Sequence, residues 1–417
     1  MRIAIWHNLP SGGGKRALYN QVRGLVAAGH HVEAWCPPTA DRSYLSLSDL
    51  IPEHVVPLEV PPTTKWRSLR DIYLDSNSSV RAMDAHCGKC VEQIEAGNFD
   101  LLFAGSSIFF ATTSIGRLVN LPSVLYLQEP CRWLYEAMPS PPWSADVRPP
   151  GWLRQPGHVK AALKRALDKR QKAVQLREEC RNAAAFDTIA CNSYYSRESI
   201  LRAYGVDSRV CYLGVDVAAY GPVPVKKRSE FFLTVGAGVM GKNVEFIVRA
   251  LGERRDKTWP LVWVANFASS AYVERVKALA SEMGVVLELR TMVKEEELID
   301  LYRSATLFLY SPRLEPFGLA PLEAAACGLP TIAVREAGVR ETIVDGETGI
   351  LVNSAPEDFA RAIDELLANP DKVVRLGEQA RANVEKLWSA DAAARELEAL
   401  LSSIAANGLT SQDRNRR

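Results

Sequence analysis

Ser311–Val334, SPRLEPFGLAPLEAAACGLPTIAV, packs a strand end, a loop, a helix and a second strand into one short run. Just before it, Ala305–Tyr310 (ATLFLY) is an apolar stretch that reads as a buried parallel strand, and Pro312 stops it. Leu319, Leu322, Ala325 and Ala326 recur at helical spacing, and Pro321 fits such a helix near its start, where a missing N–H costs nothing. Gly328 ends the helix and Pro330 launches the strand Thr331–Val334. A strand–loop–helix–strand unit of this kind predicts an α/β chain with a parallel sheet.

The unit carries two carboxylates, Glu315 on the loop and Glu323 in the second helical turn. Both are expected at the carboxyl end of the sheet, where open α/β folds keep their ligands. Gly318 leaves the amides of Gly318, Leu319 and Ala320 open to an anion at a helix N-terminus. Hydroxyl acceptors beside a phosphate nest suit a nucleotide-sugar. The plainer alternative makes Glu315 a loop carboxylate and Glu323 a solvated helix residue, but Glu323 interrupts an otherwise apolar helix.

The chain has 417 residues, enough for two or three domains, with 47% hydrophobic and 24% charged residues. A formal net charge of +1 gives no global attraction to nucleic acid. No apolar run reaches membrane-helix length, and MRIAIWHNLP is too short for a signal peptide, so a cytoplasmic protein is expected. The 8 cysteines are scattered, which fits reduced thiols. Cys87 and Cys90 form a CxxC beside His86, yet lack a second ligand pair at metal spacing, and the segment reads as an ordinary helix leading into the strand Leu101–Ala104.

At the N-terminus, Arg2–Trp6 and His31–Cys36 read as strands and Arg16–Ala28 as the helix between them. The loop Ser11–Lys15 holds Gly12, Gly13 and Gly14 and is expected to admit a phosphate or sugar, with Lys15 as its cation. Gly12-x-Gly14-x-x-Ala17 matches the dinucleotide fingerprint, but the second strand ends in Cys36-Pro37-Pro38 without the acid that holds a ribose. Asp100–Ala104 and Ser123–Gln128 read as further strands. Residues 131–183 read as an insertion, irregular at its prolines and helical from Val159, with Trp133, Trp143 and Trp152 and a basic helix. That helix either packs, solvated, on the domain or touches an anionic membrane or a phosphorylated lipid, with 152–177 as the contact. After the Gly221–Ser229 linker, Phe231–Val235 is a strand and Gly236-Ala237-Gly238-Val239-Met240-Gly241-Lys242-Asn243 a second glycine loop, where glycines plus Lys242 suit a diphosphate.

Glu315, seven residues and Glu323, set in EPFGLAPLEAAACGLPTIA, resemble the signature of glycosyltransferase family 4, retaining enzymes of the GT-B fold. Asp187–Tyr195 and Val210–Asp216, and Gly338–Gly349, are similar to other runs of that family. The resemblance implies two facing Rossmann-like domains: 1–220 on the acceptor side and 226–388 for the donor. A helix at 389–406 is then expected to return to the first domain, with a disordered tail at 407–417. It implies no metal and no cofactor beyond a nucleotide-sugar co-substrate, UDP- or GDP-linked, and a carbohydrate or lipid-linked acceptor. Carried over by position, Glu315 grips donor-sugar hydroxyls, Glu323 the ribose and Lys242 the diphosphate, beside Gly236, Gly238 and the amides after Phe317. Met292 lies where such enzymes read the base through the backbone. The family's usual arginine is replaced by Ala237, which implies either weakened donor binding or a substitute cation such as Arg313 or Lys15, and Gln128 stands where a sugar- or acceptor-binding histidine is common. Two alternatives stay open: a glycoside hydrolase using Glu315 and Glu323, and a non-catalytic nucleotide-sugar binding protein.

Overall fold

A computed structural model describes residues 1–59, 78–107, 110–135, 158–221 and 228–407. The proline-rich part of the 131–183 segment with Trp143 and Trp152, most of the 221–229 linker and the tail from 408 lie outside the described residues. The chain divides into two units: Met1–Cys191 with Ser196–Val210 and the chain from Leu397, and Asn192–Tyr195 with Cys211–Glu396.

The first unit is a seven-stranded sheet of β1 (Arg2–Asn8), β2 (His31–Cys36), β3 (Glu53–Val55), β4 (Leu101–Ser107), β5 (Ser123–Tyr126), β6 (Thr188–Cys191) and β7 (Arg209–Val210), ordered 3-2-1-4-5-6-7. Every pairing is parallel. The apolar runs explain this, because strands such as Ile3–Trp6 and Leu101–Ala104 are fully buried and need cover on both faces. Helix Ser78–Ala96 supplies part of that cover with Met83, Cys87, Cys90, Val91 and Ile94, so the CxxC cysteines are core residues. All eight cysteines are free thiols. Burial pushes the Cys87 thiol up to about 11. The described C-terminal half of the helix His158–Ala183 is docked through Glu179, whose carboxylate accepts from the amides of Ala111 (2.8 Å) and Thr112 (2.9 Å) and from the Tyr204 hydroxyl (3.2 Å). No helix among the described residues is long and apolar enough to cross a membrane.

The second unit repeats the plan with β8 (Phe232–Val235), β9 (Leu261–Ala265), β10 (Leu287–Thr291), β11 (Leu307–Tyr310), β12 (Thr331–Val334) and β13 (Ile350–Val352), ordered 10-9-8-11-12-13 and all parallel. Chain order reverses between β8 and β11, so the crossovers leave that pair toward opposite sides and open a crevice beyond its carboxyl ends. The core below includes Phe246 on helix Val244–Glu253 and Phe359 on helix Pro356–Leu367, whose rings meet edge-on at 5.4 Å. Arg228 ties two helix ends together. Its Nη1 donates to the carbonyls of Tyr302, Arg303 and Ala305 at 3.2, 3.1 and 2.9 Å, and its Nη2 to those of Cys327 and Gly328 at 3.0 and 2.7 Å. These carbonyls lie at or just beyond the C-terminal ends of helices Glu295–Ser304 and Leu319–Ala326.

Arg228→Ala strips the partner from all of these carbonyls at once. It is expected to cost about 2–4 kcal/mol of stability in denaturant titration, and a loss under about 0.5 kcal/mol contradicts the role.

Candidate functional site

Two loops flank the crevice of the second unit, 236–243 after β8 and 311–318 after β11. They are stitched together: Arg313 N donates to Gly241 O (2.8 Å), Asn243 Nδ2 to Ser311 O (3.2 Å) and Ser311 Oγ to Asn243 O (3.0 Å). Asn243 takes a left-handed φ of 52°, which ends the short 3-10 turn Met240–Lys242 and turns the chain into the next helix. This arrangement places Lys242 Nζ 2.7 Å from Glu315 Oε2, the two side chains being 33% and 13% exposed. Gly236 lies under the lysine stem, where a Cβ would meet its Cγ and Cδ at 3.4 Å. Gly238 serves packing instead, since a Cβ there would sit 2.6 Å from that of Ala268.

The Glu315 loop is held from several sides. Gly338 N donates to Glu315 O (2.9 Å) and Ser193 Oγ to Pro316 O (2.6 Å). Leu314 has φ 51°, and its N–H donates to Glu336 Oε1 (2.7 Å). The same carboxylate holds Arg313 Nε at 3.2 Å, so Arg313, the candidate replacement for the missing arginine, is paired within its own unit. Gly318 caps helix Leu319–Ala326 with φ 97°, a conformation that costs a non-glycine residue about 1–2 kcal/mol. Met292 is 74% exposed with φ 54°, and its N–H is spent on Ala265 O at 3.2 Å.

Two tyrosines complete the site. Tyr310, the last residue of β11, is buried beside Glu315; burial, then the nearby Glu315 charge, raises its pKa well above the ordinary phenol value. Glu323 is only 5% exposed, and Tyr302 donates to its Oε2 at 2.9 Å. Sequence reading missed both, because a tyrosine inside an apolar run passes for core filler. The available signal was that a buried phenol needs an acceptor, and the two glutamates are the nearby acids.

In the first unit the glycine loop differs from expectation. The helix begins at Gly13, so Gly13, Gly14 and Lys15 form its first turn after Gly12, whose φ is 137°. Gln128 lies on Gly14, its Nε2 3.5 Å from where a Cβ would be. Lys15 is fully buried and its Nζ has no hydrogen-bond partner, so it turns into the fold and not to solvent. The β1–β2–β3 register, Trp6 opposite Trp35 and Ala34 opposite Glu53, puts His7, Cys36 and Glu53 on one face beside it. His7 Nε2 contacts Glu53 Oε1 at 3.1 Å, and Arg42 Nε donates to Oε2 at 2.9 Å. Although burial opposes it, hydrogen bonds from His7 and Arg42 bring the Glu53 carboxyl down to about 2, while burial lowers His7 and Lys15 and lifts the Cys36 thiol to about 12. The His7, Cys36 and Glu53 ligand atoms lie within 4.8 Å of one another, a spacing that suits a cation; Arg42 on the carboxylate and Lys15 alongside oppose one. An open cleft of about 660 Å³ lies next to this cluster, lined by Pro10, Ser11 and residues 38–43.

The family described as "Glycosyltransferase Family 4" matches residues 11–219, and "Glycosyl transferases group 1" matches residues 221–383. A D-inositol 3-phosphate glycosyltransferase of Streptomyces bingchenggensis is 28% identical over 266 residues, 57% of this chain and 58% of that one. A GDP-mannose-dependent alpha-(1-6)-phosphatidylinositol monomannoside mannosyltransferase of Mycolicibacterium smegmatis is 29% identical over 214 residues, 46% and 56% of the two chains. The chain thus spans a little over half the length of these curated relatives. Among solved structures, sucrose-phosphate synthase from Thermosynechococcus elongatus aligns with a TM-score of 0.67 at 20% identity, covering 98% of this chain and 100% of that one. Anabaena HepE, in complex with UDP and glucose, aligns with a TM-score of 0.69 at 18% identity over 96% and 99%. These likenesses show the GT-B fold.

The buried cluster of the first unit sets an acid limit. The depressed His7 contributes stability that is full above its ordinary 6.5 and fades as pH falls. Glu53 adds a second loss as pH drops from 4.5 toward about 2. Urea unfolding of Glu53→Gln is expected to lack this second limb; acid curves parallel to wild type contradict it.

Proposed function

We propose that this chain, which belongs to glycosyltransferase family 4, transfers a sugar with retention from a nucleoside-diphosphate sugar to a hydroxyl acceptor, in glycan, polysaccharide or glycolipid biosynthesis. The observation that carries the reading is the 2.7 Å Lys242–Glu315 pair at the crevice of the second unit. A leaving nucleoside diphosphate gains negative charge in the transition state, and an ammonium beside it lowers that barrier. Lys242 is the cation in reach, and the first-turn amides after Gly318 add a positive helix end. Glu315 grips the sugar hydroxyls. Glu323 keeps the ribose, through the small edge that its 5% exposure leaves. The names of the two relatives above, one GDP-mannose-dependent and one solved with UDP and glucose, support a UDP- or GDP-linked donor. A glycoside hydrolase needs no lysine on its nucleophile, which makes transfer the better fit to the pair.

Thermal unfolding with UDP-, GDP- and ADP-sugars tests this. A donor at 100 times its Kd is expected to add about 2.7 kcal/mol, and Lys242→Ala to remove most of that gain. Glu323→Ala is expected to raise the donor KM more than it lowers kcat, and Glu315→Ala to depress kcat itself. No stabilisation by any nucleotide-sugar contradicts the donor assignment, and equal, small effects of both glutamate variants contradict the residue roles.

A further inference from the structure

Resting on the ribose reading of Glu323 above, we propose that Tyr302 is the positioning residue of Glu323: its hydroxyl fixes the carboxylate that selects a ribose over a deoxyribose in the donor. Tyr302 lies on helix Glu295–Ser304 and Glu323 on helix Leu319–Ala326, and the hydroxyl donates to Glu323 Oε2 at 2.9 Å. Tyr302 is fully buried, and Glu323 is nearly so. A carboxylate on an exposed face turns freely among water partners. One enclosed in an apolar helix takes its orientation from the protein groups that bond to it, and a bond to its charge is stronger than one between neutral groups.

The phenol is itself fixed. Its ring centroid lies 5.5 Å from that of Phe308 on β11 and 6.0 Å from that of Tyr220, and the Tyr220 hydroxyl donates to Glu295 Oε1 at 2.6 Å, in the first turn of the helix that carries Tyr302. Arg228 takes the carbonyl of Tyr302 with one nitrogen and those of Cys327 and Gly328 with the other, so one guanidinium joins the ends of the two helices that carry the phenol and the carboxylate. Arg381 Nη1 adds the Ala326 carbonyl at 2.6 Å. The backbone clamp sets the separation of the helices, and the hydroxyl sets the angle of the carboxylate. A side chain with no exposed surface does not touch a ligand, so any effect of Tyr302 on binding runs through Glu323.

Selection follows from this rigidity. A ribose hydroxyl that meets a fixed carboxylate gains a charge-assisted hydrogen bond, whereas a deoxy sugar leaves that acceptor unmatched in a buried place. A carboxylate free to rotate turns away and tolerates the missing hydroxyl.

The test is isothermal titration of wild type, Tyr302→Phe, Glu323→Ala and the double variant with UDP, GDP and ADP, then with the 2′-deoxy and 3′-deoxy forms of the one that binds best. Phenylalanine keeps the ring packing, and thermal melts confirm folding. Wild type is expected to favour the ribo form over at least one deoxy form by about tenfold or more, and Tyr302→Phe by about threefold or less. In turnover of the matching nucleotide-sugar, Tyr302→Phe is expected to raise the donor KM and to leave kcat within about twofold. In the Glu323→Ala background it is expected to change the ribose preference no further. An undiminished preference in Tyr302→Phe overturns the inference, and so does an equal effect of that substitution with and without Glu323, which makes the tyrosine merely structural. Wild type that binds a nucleoside diphosphate without regard to its ribose hydroxyls also overturns it. If no nucleoside diphosphate binds wild type, the donor reading itself fails and the inference falls with it, an outcome distinct from the others.

Discussion

The hydrogen bonds that stitch loop 236–243 to loop 311–318 are the constraint on which the candidate site depends. Each loop leaves one strand of the pair where chain order reverses, and alone neither would hold a side chain to a fraction of an ångström. Their backbone and short polar side chains bond across the crevice, so Lys242 and Glu315 meet without help from bulky packing. The second layer of support comes from beyond β12. Gly338 sits so close to Pro316 that a Cβ would overlap its carbonyl oxygen at 2.0 Å, which presses the Glu315 loop into one path. Rigid backbone beneath a polar pair is what preorganised electrostatics requires.

The two units use the same topology for different ends. In the first, β1 and β4 also form the reversal point, yet the polar side chains near it are sealed: His7 pairs with Glu53, and Lys15 is buried with no hydrogen-bond partner on its Nζ. Burial of that much polarity is expensive, and the low Glu53 carboxyl pKa records the partners that offset it. In the second unit the ion pair stays partly open to solvent, where a ligand's charge has access. Openness, not the presence of glycines, separates the two loops.

Much of this was legible in the sequence. Ala305–Tyr310, Phe231–Val235 and Thr331–Val334 are apolar runs bounded by breakers, and each encloses an observed strand to within one or two residues. Lys242 and Glu315 stood out because charge beside glycine or proline is hard to explain by packing. What stayed hidden depends on three dimensions. β3 has only three residues and no apolar run of its own, so nothing local marks it. Gly13 and Gly14 read as loop because glycine has low helix propensity, yet the first turn forms with Lys15 buried in it. Tyr302 and Tyr310 are invisible as polar groups until the fold brings glutamates to them, and Arg228 reads as one more linker cation until two helix ends converge on it.

In the proposed donor reading, a nucleoside diphosphate engages Lys242 in the crevice beyond β8 and β11. A crystal structure of the chain with the nucleoside diphosphate it binds best tests this directly. Phosphate oxygens are expected within hydrogen-bond distance of Lys242 Nζ, with that ammonium more than about 4 Å from Glu315. A diphosphate seated elsewhere, with the Lys242–Glu315 pair intact, contradicts it.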